Sequence, residues 1–177
     1  MDEVVWSHSG KIDYGTPWEL YKDLDKEFNF TIDACASSHN TKHVKYWSVE
    51  DDSLQQDWSG HRLFCNPPYG EPENACTENC KKKRCIKRGY HLDRWQAGTP
   101  NFVKKAYEEH LNGVLSVLLV AARTDTRWFH KYVWDSVCHR PKAGTEVRFI
   151  KGRIQYIGGD HGAGFPSMLI IFRGLQQ

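Results

Sequence analysis

The chain has 177 residues, of which 40% are hydrophobic and 26% are charged, and its formal net charge is +2. This composition is typical of one soluble globular domain with a sizeable core. No apolar run approaches the ~20 residues that a membrane-spanning helix needs, so we expect no such helix. The N-terminus is acidic and lacks the basic start and apolar run of a signal peptide, so we expect a cytoplasmic protein.

The predicted elements alternate between helices and strands. The first helix is predicted to begin with Thr16 as its N-cap, Pro17 in the first helical position and Glu19 completing a capping box. Strands are predicted at 30–32, 44–47 and 62–65, and a second helix runs from 99 to 111. The later predictions are a buried strand at 114–122, a helix at 128–137, a hairpin of 147–150 with 154–157, and a strand at 168–172.

Strands separated by helices, followed by a terminal antiparallel pair, indicate an open α/β sheet. Such sheets bind ligands at the carboxyl ends of their strands. Three polar clusters follow predicted strands, at 33–36, 66–69 and 123–126. The sequence therefore predicts a binding site built from these three clusters. Between them, residues 71–98 have little apolar periodicity and are interpreted as an insertion in a single domain spanning 1–177.

The most informative cluster is Asn66-Pro67-Pro68-Tyr69, directly after the apolar run of a predicted strand. Two prolines fix the backbone and remove two donors, so the chain cannot continue directly into a helix. This rigid unit suits a planar substrate with an NH2 group. The Asn66 side-chain oxygen and the Pro67 carbonyl can accept its two hydrogens, and the ring of Tyr69 can stack on it. The alternative interpretation is a proline turn.

The six cysteines fall into two groups. Cys35, Cys65 and Cys138 are scattered in apolar surroundings and are predicted to be buried thiols. The others lie in the insertion with a histidine, where clustering in a cytosolic chain favours metal over disulfides. These four candidate ligands are Cys76, Cys80, Cys85 and His91. They predict a tetrahedral structural zinc site, and neighbouring lysines are expected to lower the thiol pKa values. The alternative is an unstructured reduced loop.

Together these segments resemble the phage family of DNA N-6-adenine methyltransferases, the Dam-like proteins. The similarity runs from about residue 14 to residue 172. Its matching pieces are Thr16-Pro17, Phe30 to Ala36, Asn66 to Gly70, Ala122 to Thr126, Arg148-Phe149 and Phe165-Pro166-Ser167-Met168.

The resemblance implies a Rossmann-like methyltransferase that uses S-adenosylmethionine. It implies cofactor contacts at the first strand's end, although the glycine-rich loop of most methyltransferases is missing there. It also implies that the segment before the first helix contacts the methionine end of the cofactor. An acidic residue is implied at the ribose, and Glu50, Asp51 and Asp52 are the candidates. The implied cofactor-binding residues are Thr16, Pro17, Asp33, Ala34, Cys35, Ala36, Asp51 and Asp52.

The implied reaction is methylation of adenine N6 in DNA, with the base flipped out of the duplex and catalysis by Asn66, Pro67, Pro68 and Tyr69. Basic blocks on a nearly neutral chain fit a phosphate-bearing partner. The predicted DNA contacts are Lys81, Lys82, Lys83, Arg84, Arg123, Thr124, Asp125, Thr126, Lys151 and Arg153. The insertion is then interpreted as a zinc-stabilised DNA clamp, and solvated charged loops are the alternative.

Three other functions fit parts of the pattern. RNA adenine carries the same amine, and a protein glutamine amide is likewise a planar NH2 group. A zinc-bearing DNA-binding module without activity is the third. We expect an enzyme acting as a monomer in the cytoplasm, in the host cell if a phage encodes it.

Overall fold

A computed structural model describes residues 15–159 and 161–175 of the chain. In chain order its first elements are α1 (Trp18–Phe28), β1 (Ile32–Asp33), β2 (Arg62–Cys65), α2 (Lys83–Arg88) and α3 (Thr99–Leu111). There follow β3 (Leu115–Ala121), a π-helical turn (Phe129–Val133), β4 (Trp134–Asp135), β5 (Arg140–Pro141), β6 (Thr145–Phe149) and β7 (Ser167–Phe172). Within the described ranges, no helix combines the length and the apolar character that crossing a membrane requires.

Five strands form one mixed sheet in the order β1-β2-β3-β7-β6. The first three are parallel to one another, and β7 lies antiparallel between β3 and β6. The predicted α/β class is thus confirmed, as are the parallel portion of the sheet and the antiparallel pair at the C-terminal end. β4 and β5 form a separate two-stranded pair.

The central strand β3 explains the continuous apolar run in the sequence. Val117, Leu118, Leu119 and Val120 each have 0% exposure. Successive side chains of a strand point to opposite faces, so a strand covered on both faces needs apolar residues throughout. The predicted buried strand at 114–122 is confirmed, with bounds one residue shorter at each end.

The core lies in two layers, one on each face of the sheet. On one face α1 packs Tyr21, Leu24 and Phe28 against a cluster that contains Val117 and Ile171. On the other, Phe102, Val103 and Ala106 of α3 pack with Trp58, Leu118 and Ile170. Alternate residues of β3 and β7 therefore point into the two layers, and the sheet lies between helices.

The start of α1 differs from the prediction. The cap residue is Pro17, and no side chain caps the helix. Thr16 is 3% exposed, and its hydroxyl oxygen accepts a hydrogen bond from the Asn66 side chain at 3.2 Å. The predicted capping box from Thr16 to Glu19 is therefore wrong, because a tertiary contact takes the hydroxyl that was expected to cap the helix.

Two predicted elements are much reduced. The strand expected at 44–47 is a single bridge between Asp33 and Tyr46, and Val44 beside it is 98% exposed. The helix expected at 128–137 is one π-helical turn followed by β4. Its aromatic residues are buried as expected, since Trp128 and Phe129 are 7% and 3% exposed.

The predicted hairpin of 147–150 with 154–157 is wrong. β6 pairs with β7 instead, and residues 150–166 connect the two strands. Within this connection Ile154 and Tyr156 are buried against the α1 face of the sheet. Ile157 forms an isolated antiparallel bridge with Gly15, which brings the connection beside the segment that precedes α1.

Candidate active site

The carboxyl ends of β1 and β2 lie side by side and bring two predicted clusters together. In the parallel register Asp33 pairs with Phe64, and the backbone N–H of Ala34 donates to the Phe64 carbonyl at 2.8 Å. Just beyond, the Sγ atoms of Cys35 and Cys65 are 3.4 Å apart. The segment 33–36 and the loop that begins at Asn66 therefore form one continuous edge.

The loop Asn66-Pro67-Pro68-Tyr69 is held by side-chain hydrogen bonds. The Asn66 amide nitrogen donates to Thr16, and the Tyr69 hydroxyl donates to the Asn66 amide oxygen at 2.8 Å. The Thr99 hydroxyl at the start of α3 donates to the Pro68 carbonyl at 3.0 Å. The Asn66 amide is thus bonded at both ends, by Tyr69 of the same loop and by Thr16, which is 50 residues away in sequence.

The ring of Tyr69 packs among aromatic residues from the β6–β7 connection. It makes edge-to-face contacts with Phe165 and Tyr156, with ring centroids 5.2 and 6.0 Å apart. The hydroxyl groups of Tyr69 and Tyr156 are 2.7 Å apart. The sequence analysis missed Tyr156 as a site residue because it assigned this residue to a hairpin. Phe165 was noticed only as the first residue of a segment that resembles the methyltransferase family.

Asp33 carries a buried carboxylate at the end of β1, with 3% exposure. It accepts hydrogen bonds from the backbone N–H groups of Lys42 at 3.0 Å and Cys35 at 3.4 Å. Burial raises the pKa of Asp33 to about 6, and the two N–H donors and the Lys42 charge oppose that rise. The Lys42 ammonium lies 4.6 Å from the ring centre of Trp18. Asp33 is thus a buried carboxylate with two backbone donors at the end of β1.

The acidic residues 50–52 lie in an exposed turn beyond the bridge to β1. One oxygen of Asp51 accepts from the backbone N–H and the hydroxyl of Ser48, both at 2.8 Å, and these bonds lower the pKa of Asp51. Asp52 has a left-handed backbone, with φ of 49°, and its carboxylate accepts a hydrogen bond from the Leu54 N–H. Asp51 and Asp52 therefore each cap a backbone N–H group within this turn.

The third predicted cluster borders a cavity of about 300 Å³ lined by Ala122, Arg123, Asp125, Gly164, Phe165 and Pro166. Arg123, Thr124 and Asp125 are exposed, and the Thr126 hydroxyl closes a turn by donating to the Arg123 carbonyl at 2.8 Å. Because Phe165 also contacts Tyr69, the cavity adjoins the Asn66–Tyr69 loop. The ends of β1, β2 and β3 thus form one polar edge.

The four predicted metal ligands come together. The ligand atoms of Cys76, Cys80, Cys85 and His91 all lie within 4.8 Å of one another. Cys85 Sγ is 3.5 Å from Cys76 Sγ and 3.7 Å from Cys80 Sγ. The N–H of Leu92 and the His91 side chain lower the pKa of Cys76 to about 6. The contribution of the neighbouring lysines to the thiol pKa values stays a prediction.

The insertion joins the rest of the site at its base. Glu73 and Gln96 exchange backbone hydrogen bonds at 2.9 and 2.8 Å, and Thr99 N–H donates to the Gly70 carbonyl at 2.9 Å. A Cβ on Gly98 would lie 2.3 Å from the Gly70 oxygen, so this close approach requires glycine. The cysteine cluster is therefore anchored directly to the end of the Asn66–Tyr69 loop.

The remaining predicted DNA-binding residues lie on the surface. Lys81, Lys82 and Lys83 are exposed, as are Lys151 and Arg153 in the β6–β7 connection. The side chain of Arg84 lies outside the described part of the chain. Among the three scattered cysteines only Cys65 is fully buried, whereas Cys35 is partly exposed and Cys138 is exposed. The buried-thiol prediction is therefore wrong for Cys138, which follows the exposed Val137 in the β4–β5 turn.

Comparison with known proteins agrees with this arrangement. The family model described as DNA N-6-adenine-methyltransferase (Dam) matches residues 6–177. A "DNA N-6-adenine-methyltransferase" of Haemophilus phage HP1 (strain HP1c1) is 26% identical over 166 residues, which cover 90% of this chain and 77% of the phage protein. A protein of the same description from Escherichia phage T1 is 24% identical over 180 residues, covering 93% of this chain and 63% of its own. No solved structure matches.

The chain belongs to the DNA N-6-adenine-methyltransferase (Dam) family. It is accordingly an adenine-specific DNA methyltransferase, and the resemblance seen in the sequence is confirmed. The reaction needs a methyl donor, which in this family is S-adenosylmethionine.

Proposed function

We propose that the enzyme binds S-adenosylmethionine at the end of β1 and methylates an adenine that is flipped out of duplex DNA onto the Asn66–Tyr69 loop. The observation that carries this proposal is the contact between the two segments, since Cys35 and Cys65 Sγ are 3.4 Å apart. A methyl donor held by residues 33–36 and an amine held by Asn66 then meet at one strand edge.

The sheet order supports a Rossmann-like methyltransferase domain over residues 1–177, with the insertion at about 71–98. Three parallel strands are followed by an antiparallel strand that inserts between β3 and β6. Open sheets of this kind bind ligands beyond the carboxyl ends of their parallel strands. The three polar clusters lie at those ends.

The cofactor site is proposed from residues that fit a zwitterionic amino acid with a sulfonium. The Asp33 carboxylate attracts the amino group, and the small side chains of Ala34 and Ala36 let the cofactor approach the backbone. Cys35, Thr16 and Pro17 border the same space, since Thr16 bonds Asn66. Asp51, Asp52 and Glu50 are the candidates for the ribose. When bound, S-adenosylmethionine supplies a methyl group on a good leaving group.

The catalytic loop acts by positioning and by stabilising charge. Asn66 Oδ1 and the Pro67 carbonyl accept the two N6 hydrogens, which favours the tetrahedral nitrogen that forms as the methyl group arrives. N6 gains positive charge as the methyl group arrives, and the proton it then loses passes to solvent water, which leaves a secondary amine. Pro67 and Pro68 keep the loop rigid, and the Tyr69 ring stacks on the flipped base, which offsets part of the few kcal/mol of unstacking.

The cysteine cluster is proposed to hold a structural zinc ion. Zn–S bonds of about 2.3 Å in a tetrahedron place sulfur atoms about 3.8 Å apart, and two sulfur pairs here are 3.5 and 3.7 Å apart. Cys76, Cys80 and Cys85 would supply thiolates and His91 an imidazole. The ion would fix the loop that carries Lys81, Lys82, Lys83 and Arg84.

That loop is proposed to bind DNA phosphates beside the active site. Arg123, Thr124, Asp125 and Thr126 at the end of β3, with Lys151 and Arg153, complete the proposed DNA surface. Because phosphate contacts carry no sequence information, we expect sequence preference to come from other contacts of the insertion and of the strand-end loops. The enzyme is proposed to act as a monomer in the cytoplasm.

The test is methyl transfer from labelled S-adenosylmethionine to unmethylated duplex DNA, followed by digestion and mass detection of nucleosides. We expect N6-methyladenine from the wild type, at least about 100-fold less from Asn66→Ala, and cofactor binding intact in both. Asn112→Ala is the matched control, because Asn112 precedes β3 at the opposite edge of the sheet.

The other outcomes separate the remaining functions. Methylated adenine only in RNA, or a methylated glutamine amide in protein, would replace the DNA substrate. DNA binding without any cofactor binding would indicate a module without activity.

A further inference from the structure

A chain of hydrogen bonds crosses the site from β7 to the segment before α1. The Ser167 and Tyr156 hydroxyls are 3.3 Å apart, and the Tyr156 and Tyr69 hydroxyls 2.7 Å apart. Tyr69 donates to Asn66 Oδ1 at 2.8 Å, and Asn66 Nδ2 donates to Thr16 at 3.2 Å. The chain thus joins four separate parts of the sequence around one amide.

The chemistry of these groups sets the direction of the chain. Asn66 Oδ1 is a carbonyl oxygen and can only accept, and at 2.8 Å it is a closer acceptor for the single hydroxyl hydrogen of Tyr69 than the Leu119 carbonyl at 3.4 Å. The Tyr69 oxygen must then accept from Tyr156, and the Tyr156 oxygen accepts from Ser167. Each hydroxyl between β7 and Asn66 therefore donates toward the Asn66 amide oxygen, and the Asn66 amide nitrogen donates onward to Thr16.

Both ends of this chain are held by the fold. Tyr156 is 2% exposed, and Ser167 begins β7 with 2% exposure. Ile157, the residue after Tyr156, donates its N–H to the Gly15 carbonyl at 2.8 Å, next to Thr16. This contact therefore holds Tyr156, which donates to Tyr69, close to Thr16, which accepts from Asn66.

We propose that Tyr156 is a positioning residue for methyl transfer, which acts through the Tyr69 hydroxyl to hold the Asn66 amide oxygen toward the substrate. This inference rests on the proposed role of Asn66. The two orientations of an amide have nearly the same shape but exchange acceptor for donors. Only one of them accepts a hydrogen from adenine N6. In the structure Oδ1 accepts from the Tyr69 hydroxyl and Nδ2 donates to the Thr16 oxygen, which is that orientation.

The first test reads the amide directly and needs no activity. The side-chain NH2 signals of Asn66 are assigned in ¹⁵N–¹H spectra by their loss in Asn66→Ser. We expect them to shift or broaden in Tyr156→Phe and to stay unchanged in Tyr21→Phe. Tyr21 is the matched control because its hydroxyl is buried in α1 and finds no partner in the described part of the chain. Unchanged signals in Tyr156→Phe would overturn the proposal.

The second test is a double-mutant cycle on kcat. Tyr156→Phe should lower kcat by roughly 10- to 100-fold and leave KM for S-adenosylmethionine unchanged. In a Tyr69→Phe background it should cause no further loss, because the hydroxyl through which Tyr156 acts is gone. Additive losses would show that Tyr156 acts by another route. If the wild type methylates no DNA, the proposed function fails, while the Asn66 signals still decide the role of Tyr156.

Discussion

At the scale of single residues, Asp33 combines burial with a position at the end of a parallel strand. Its carboxylate is removed from water, which raises its pKa to about 6, yet two backbone N–H groups still point at it. A carboxylate in this condition gains much from an incoming cation, because the partner replaces lost hydration. The amino group of the methyl donor is such a cation.

Cofactor binding should therefore depend on pH. Asp33 is ionised above about pH 6 and protonated below, so the dissociation constant for S-adenosylmethionine should rise as the pH falls through about 6. Asp33→Asn should weaken binding roughly 10- to 100-fold at about pH 8 and remove this dependence. Calorimetric titration over that range measures both. Asp23→Asn, on the exposed surface of α1, should behave as the wild type, and an affinity independent of pH would contradict the role of Asp33.

The exposures of the cysteines make a second prediction at this scale. Cys35 is partly exposed at the cofactor segment, whereas Cys138 is exposed in the β4–β5 turn. We expect N-ethylmaleimide to modify both, and S-adenosylmethionine to protect Cys35 alone by covering it. Peptide mass spectrometry gives the occupancy of each, with Cys138 as the internal control. Equal labelling of Cys35 with and without the cofactor would place the methionine group elsewhere.

At the scale of elements, the sequence predicted those whose pattern reflects their own burial. β2, α3, β3 and β7 were found because continuous or helical apolar spacing coincides with their packing. The segment 154–157 was wrongly predicted to be a strand, because Ile154 and Tyr156 alternate with exposed residues as in a strand. In the structure the segment packs on the sheet without joining it. Alternation of apolar and polar residues indicates that one side of an extended segment is buried, and a connection that packs on a sheet shows the same alternation.

The candidate site divides in the same way. Residues 33–36 and 66–69 were predictable because strand ends carry ligand sites, and the cysteine cluster because its ligands are close in sequence. The contact of Tyr69 with Tyr156 joins residues 87 positions apart and depends on the misassigned connection. No local pattern encodes such a pair.

The insertion gives the prediction that belongs to elements. Protein purified without chelator should contain about one zinc per chain, and Cys85→Ser should lose it, because Cys85 is the buried ligand. We expect that variant to bind DNA more weakly while keeping cofactor affinity, since the insertion is anchored at Gly70 and not at β1. Elemental analysis and the two binding measurements test this.

The exposed Cys138→Ser is the matched control for this variant, and it should keep both zinc and DNA affinity. Wild-type protein without zinc would refute the metal site. Zinc loss with unchanged DNA affinity would retain the site and remove its proposed part in the DNA clamp.

At the scale of the whole molecule, the net charge of +2 conceals an uneven distribution. The exposed Lys81, Lys82 and Lys83 extend from the insertion whose base lies at the Asn66–Tyr69 loop. The β6–β7 connection also carries exposed basic residues. It reaches the same loop, because its Tyr156 and Phe165 pack against Tyr69. A polyanion such as DNA would bind through this distribution and not through the net charge.

Salt dependence distinguishes local from overall charge. Each phosphate contact contributes about 0.9 to the slope of log affinity against log salt, so replacing Lys81, Lys82 and Lys83 by glutamine should reduce the slope by up to about 2.7. The control replaces Lys22, Lys26 and Lys104, which are exposed on α1 and α3, and lowers the net charge by the same amount. Fluorescence anisotropy of labelled duplex DNA across a salt series measures both slopes. If the two triple variants lose the same slope, only the overall charge matters and the insertion is not a DNA clamp. If only the insertion variant does, phosphate binding is local to the metal-bearing loop, and the weakened binding should be uniform across DNA sequences.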